Sequence, residues 1–284
     1  MKPRARKPSV FAFFFCTFCF SWLIWVPLTL SHLQIGPFHI SVTTSNGVRL
    51  LGVFGPAIVA ISLSAVIGGR RAVADVTQRL NGRRISGLWW AAATLIQPAI
   101  LLLTFLLYNA LAGSSRLTVL DLGSASGFIV QIVILALAAF GEEIGWRGFA
   151  LPTLLRRFSA LTASLILAVF WTLWHIPFWV LQTSFQDYGP SYWVLNFLSI
   201  LPTTIFLTWI FNHTRGSILP AVAFHLTFNI INVAVVQVTG LIVPYLILIV
   251  LQWIVALALL IAYGPKTLTR PGEVNPLSVQ VLRT

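Results

Sequence analysis

Eight runs of apolar residues follow one another along this 284-residue chain, at 10–31, 48–68, 88–112, 126–148, 160–181, 192–212, 217–238 and 241–263. A helix of about 20 residues crosses the hydrocarbon core of a bilayer, so each run is long enough to span it. Lipid offers no water to stray backbone groups, and apolar runs of this length can only satisfy them as helices. The expected fold is all-α: a polytopic integral membrane helical bundle of about eight transmembrane helices, one membrane domain without a globular appendage. Only 8% of the residues are charged, against about 25% in a soluble domain, and 58% are hydrophobic. Residues 1–125 hold three spans and a basic loop, 126–238 hold the spans rich in polar side chains, and 239–284 hold the last span and a tail. Thr239-Gly240 alone separates the last two runs, which implies a tight helical hairpin.

The net charge of +12 does not indicate a nucleic-acid partner, because the basic residues are divided among short loops and form no continuous surface. Lys2, Arg4, Arg6 and Lys7, then Arg70, Arg71, Arg79, Arg83 and Arg84, then Arg156 and Arg157, then Arg215, then Lys266, Arg270 and Arg283 all fall on one side of an eight-span bundle. Arg49 and Arg116 fall on the other. This asymmetry places both termini in the cytoplasm, with the cell membrane as the expected location. The N-terminal run exceeds a signal-peptide core and has no small-x-small cleavage site, so it reads as an uncleaved first span. Cys16 and Cys19 read as small hydrophobes in lipid. The sequon Asn212-His213-Thr214 lies on the cytoplasmic side and carries no expected function.

Two adjacent carboxylates, Glu142 and Glu143, lie at the end of a run with no other charge back to Asp121. A carboxylate at the bilayer centre costs roughly 2.5–3.5 kcal/mol even on the lenient scale, which makes an intramembrane pair a functional candidate. Successive helical residues point about 100° apart, so the two glutamates face different ways. Arg147 lies four residues past Glu143 and shares its face, predicting an ion pair that leaves Glu142 to face a cavity. His175 lies on the next span, and His225 and Asn229 share one face of the seventh. A carboxylate, two imidazoles and an amide are the parts for activating water and stabilising an oxyanion, that is, for hydrolysing an amide bond within or beside the membrane. A helix-end salt-bridge cluster and interhelical hydrogen bonding by the histidines are the structural alternatives. The tryptophans read as packing or interface anchors, with Trp171 and Trp174 as possible walls beside His175.

Glu142-Glu143-x-x-x-Arg147, then Trp171-x-x-x-His175, then His225-x-x-x-Asn229, in this order on separate helices, resembles the CAAX prenyl protease and bacteriocin-processing (CPBP, or Abi) family of intramembrane proteases. The strings Glu142 to Pro152, Trp174-His175-Ile176-Pro177 and Ser217-Ile218-Leu219-Pro220 look like the bacterial members, and the likeness spans about 126–232. The resemblance implies Glu142 and His175 as the water-activating pair, His225 and Asn229 as the oxyanion hole, and Glu143 and Arg147 as residues that orient the site. One departure stands out: the second motif usually opens with Phe, where this chain has Trp171.

The resemblance also raises a metal. The pattern is not the zinc motif His-Glu-x-x-His, and only His175, His225 and Glu142 could hold a single zinc ion. Metal-independent activation by glutamate is the favoured expectation. The expected partners are the lipid bilayer and a membrane-associated protein or peptide substrate, reached from the cytoplasmic side. The competing functions are a non-proteolytic scaffold or bacteriocin-immunity protein, and a proton-coupled transporter; the latter predicts inverted repeats that the sequence does not show. One spacing is awkward. His175 lies some 15 residues into its span while Glu142 and His225 lie closer to their loops, which predicts that 149–158 dips into the membrane interface.

Overall fold

The computed structural model describes residues 9–40, 42–82, 85–112, 125–181, 189–233 and 242–270. Lys2, Arg4, Arg6, Lys7, Arg83, Arg84, Arg116, Asp121, Arg283 and the Thr239-Gly240 hairpin lie outside these. The described chain runs α1 (Val10–His32), α2 (Val42–Val53), α3 (Gly55–Thr77) with a short 3-10 turn after it, α4 (Gly87–Ala112) and α5 (Ala125–Gly145). A π-helical turn (Trp146–Ala150) leads into α6 (Leu151–Leu155). The rest comprises α7 (Ala160–Val180), α8 (Ser191–His213), α9 (Leu219–Asn232) and α10 (Ile242–Tyr263). Seven helices are long and apolar enough to cross a membrane, α9 is a shorter apolar helix, and together they make the polytopic helical bundle. Large apolar side chains such as Leu23, Val66, Leu102 and Ile261 point outward, as a lipid-facing belt requires.

The second predicted span is displaced. The run 48–68 breaks at Phe54, and the crossing helix is Gly55–Leu80 with the 3-10 turn included. Pro56 in the first turn of α3 suits a helix start, because its missing N–H lies where no intrahelical partner exists. The remainder of the run becomes α2, a separate short helix packed against α1. Arg70 and Arg71 continue the helix beyond Gly69, whose φ of +60° kinks it. The seventh span, predicted as 217–238, is described as α9 followed by Val233, with the rest outside the described residues.

The segment 149–158 continues the rod as far as Leu155. Phe149 to Leu154 are buried, and α5, the π turn and α6 form one rod over Ser126–Leu155. Leu151 N–H bonds to the Trp146 carbonyl, five residues back, and Pro152 offers no N–H to the same turn. The rod then reverses, Ser159 capping α7 through the Thr162 N–H. Glu142 is 13 residues before the end of the rod and His175 is 15 residues into α7. At 1.5 Å per residue both lie about 20 Å from the shared turn, so the depths match after all.

The basic connections meet at one end of the bundle. Ala160 and Leu161 N–H groups bond to the carbonyls of Lys266 and Pro265, Asn212 Nδ2 donates to Thr267 O, and Ile218 N–H to Arg79 O. Arg70, Arg71, Arg79, Arg156, Arg157, Arg215, Lys266 and Arg270 therefore share the basic end. Arg49, whose carbonyl accepts from Trp25 Nε1, lies at the far end.

Two glycines decide how closely the rod meets its neighbours. A Cβ on Gly141 would stand 3.0 Å from the Phe54 ring, and one on Gly145 would fall 2.4–2.6 Å from the ring and backbone of Pro56. The Gly-x-x-x-Gly spacing thus serves packing inside the bundle. Gly145→Ala is expected to cost about 1–3 kcal/mol as overpacking against a backbone that cannot yield. It should lower the melting temperature of the detergent-solubilised protein, while Gly47→Ala, with nothing within 4 Å, should not. An unchanged melting temperature for Gly145→Ala would contradict this packing.

Candidate active site

The rod brings Glu142, Glu143 and Arg147 to the middle of the bundle with 3%, 0% and 1% of their surfaces exposed. Arg147 Nη1 donates to Glu143 Oε1 at 2.8 Å, the expected pair one turn apart. The same oxygen also accepts from His225 Nδ1 at 2.9 Å, a contact the sequence did not reveal. It arises because the turn before α9 tucks under the rod. A Cβ on Gly148 would stand 3.0 Å from Ile218 Cδ1, so the absence of a side chain there lets the turn approach. Seven residues further along α9, running antiparallel to the rod, His225 arrives beside Glu143.

Glu142 faces the other way. Trp171 Nε1 donates to its Oε2 at 2.6 Å, and His175 Nε2 stands 3.9 Å from the same oxygen. That separation is too long for a direct bond and suits a water held between the two groups. His175 Nδ1 lies 2.8 Å from the Trp171 carbonyl, which can only accept. The neutral ring therefore carries its proton on Nδ1 and keeps a lone pair on Nε2 towards Glu142. Trp179 stacks on His175 with ring centres 5.1 Å apart and planes at 7°, and Trp174 meets it edge-on at 4.6 Å, which fixes the ring. Arg147 lies over the Trp171 ring at 4.9 Å, tying the two carboxylates' surroundings together.

Glu142, Trp171, His175, His225 and Asn229 all line one cavity of about 430 Å³. Asn229 stands one turn beyond His225 on the same side of α9, as its spacing predicts. The cavity continues past Ile134 and Gln131 of α5, Trp179 of α7, Tyr192 and Asn196 of α8, Asn232 of α9 and Arg49 of α2. These residues lie towards the far end of their helices. The described part of the cavity thus extends from Glu142 and His175 away from the basic end, because the rod and α7 close against each other at their basic-end turn.

The sequence placed Trp171 as a wall, and the structure adds an indole donor to the carboxylate, which the phenylalanine usual at this position could not supply. Gln131, Tyr192, Asn196 and Arg49 carried no readable signal, since single polar residues near span ends are common. His213, read as a helix-end residue, stacks on Trp89 at the basic end and takes no part in the site.

A metal has no ready cage. Both imidazoles spend Nδ1 on a protein acceptor, which leaves Nε2 electronically suited to ligation. Yet among the described residues no three His, Cys, Asp or Glu side chains converge closely enough to share an ion.

Fold and site together define a polytopic membrane protein with a carboxylate–imidazole centre buried within its bundle. A family profile, type II CAAX prenyl endopeptidase Rce1-like, matches residues 124–231, the stretch whose motifs carry the resemblance. The CAAX prenyl protease 2 of Methanococcus maripaludis is 32% identical over 229 residues, covering 77% of this chain and 82% of that protein. The chain belongs to the CAAX prenyl protease family, and it is an intramembrane endopeptidase of the CPBP type.

Trp171→Phe keeps an aromatic side chain, shrinks it and removes the N–H. A hydrogen bond to a charged group contributes about 1.5–3 kcal/mol, so kcat is expected to fall roughly tenfold or more with KM little changed. A change confined to KM, or none, would show that the indole N–H does not position Glu142.

Proposed function

We propose that this chain cleaves a peptide bond of a membrane-associated protein or peptide with water activated by Glu142 and His175. The observation that carries this reading is the facing of Glu142 Oε2 and His175 Nε2 across 3.9 Å in the wall of the cavity. A water between them gives one proton to the Glu142 carboxylate and donates its other hydrogen to His175 Nε2. The oxygen lone pair then attacks the scissile carbonyl carbon. As the tetrahedral centre collapses, the C–N bond breaks, and Glu142 passes the proton to the departing amine nitrogen.

The oxyanion is met from α9. Asn229 donates from its amide, and His225 donates from Nε2. For His225 this role requires both ring protons, because Nδ1–H is already given to Glu143. Glu143 balances that second proton, and Glu142, Glu143, Arg147 and a doubly protonated His225 then sum to zero charge. A closed balance of this kind is what a buried cluster needs. Glu143 and Arg147 act as positioning residues.

The aromatic and aliphatic wall suits an apolar peptide, and the names of the relative and of the family make a prenylated CAAX peptide the first substrate to test. No metal is required in this scheme. Glu142→Ala is expected to abolish cleavage in proteoliposomes while inserting normally, and the wild-type rate is expected to persist after incubation with 1,10-phenanthroline. Cleavage by Glu142→Ala would overturn the role of the glutamate. Loss with the chelator, restored by zinc, would reassign His175 and His225 to a metal.

The charge asymmetry further supports a cytoplasmic basic end with both termini on that side, in the cell membrane. In a background with Cys16 and Cys19 replaced by Ala, Leu33→Cys at the far end should react with an impermeant maleimide added to intact cells. Phe158→Cys, in the basic-end turn, should react only after permeabilisation. The reverse pattern would invert the orientation.

A further inference from the structure

The cavity wall holds one cation that the scheme above leaves unused. Arg49 lines the cavity from α2, and its Nε is buried without a hydrogen-bond partner. Its backbone is fixed by the bond from Trp25 Nε1 to its carbonyl, and Trp25 is itself fully buried against Trp174. The described carboxylates near the cavity are engaged elsewhere, Glu142 with Trp171 and Glu143 with Arg147 and His225. Among the described residues lining the cavity, Arg49 is the only lysine or arginine. The wall around it is mostly apolar and aromatic, and the polar groups Asn196, Tyr192 and Asn232 in it are uncharged. Among the described residues no anion is paired with it, and a guanidinium in a largely apolar wall gains most from a ligand that brings one; its planar fork matches a carboxylate.

We propose that Arg49 binds a carboxylate of the peptide substrate in the cavity and so sets how far along the peptide the cut at Glu142 falls. The inference rests on the proposed hydrolytic reading for the position of the cut, but not for the binding. Two sources share the chemistry: the free α-carboxylate at a peptide's C-terminus and an Asp or Glu side chain. With the α-carboxylate, the enzyme trims a short fragment from a chain end. With a side chain, it reads an internal acidic position.

The test measures binding apart from cleavage. The probes are fluorescein-labelled apolar decapeptides in three forms: a free C-terminal carboxylate, the same peptide as a C-terminal amide, and the amide with one internal Glu. Each is titrated against Glu142→Gln in lipid nanodiscs, with Arg49 intact, as Arg49→Lys, or as Arg49→Gln. With Arg49 intact, the free carboxylate is expected to bind about tenfold or more tighter than the plain amide. Arg49→Gln should erase that preference without weakening the amide peptide, and Arg49→Lys should retain part of it. If the internal Glu restores binding to the amide through Arg49, the recognised group is the side chain. Equal binding of all three probes to the Arg49 protein, or a preference that survives Arg49→Gln, overturns the proposal. Wild-type protein cutting the bound peptide at a constant distance from the carboxylate links binding to cleavage. Cleavage that persists in Glu142→Gln would instead sink the catalytic reading while leaving the Arg49 result standing.

Discussion

One oxygen organises the middle of this protein. Glu143 Oε1 accepts from Arg147 within its own rod and from His225 on α9, with the whole residue closed off from the surface. An uncompensated carboxylate there would be expensive, and so would a lone guanidinium. The pairing makes each bearable and fixes the register of α9 against the rod. Everything on the other side of the helix follows from that register. Glu142, 100° round, is turned towards α7, where Trp171 and His175 meet it.

The remaining constraint is close approach. Gly145 admits Pro56, Gly141 admits Phe54, and Gly148 admits Ile218. Small residues at these crossings substitute for the hydrophobic drive that lipid does not supply between helices. Deeper in the bundle, buried polar side chains bond across helices: Ser199 to Gln252, Gln252 to Gln97, Ser164 to Thr208. These links hold α4, α7, α8 and α10 around the site without adding charge to it, and Tyr245 of α10 reaches Asn196 in the cavity wall.

Much of this was legible in the sequence because the bilayer leaves few options. Span length fixes helix, loop arginines fix the shared end, and i, i+4 spacing predicts the Glu143–Arg147 pair and the common face of His225 and Asn229. What was hidden depends on tertiary depth. The Glu143–His225 bond could not be read from spacing, since it needs the α9 turn to sink to the level of Gly148. The π turn at Trp146–Ala150 and the burial of α6 were hidden because Arg156 and Arg157 follow so closely. The break at Phe54 hid α2 inside an apparently continuous apolar run, and with it the place of Arg49 in the cavity.

The most direct test of the division between the two glutamates is a paired melting experiment on Glu143→Gln and Glu142→Gln in the same detergent. Removing one partner of a buried charge pair costs about 3–5 kcal/mol, so Glu143→Gln is expected to melt well below the parent protein. Glu142→Gln, which keeps an oxygen for Trp171, should melt near it or above. The reverse order would mean that Glu142 holds the fold and Glu143 faces the chemistry, and would contradict the account.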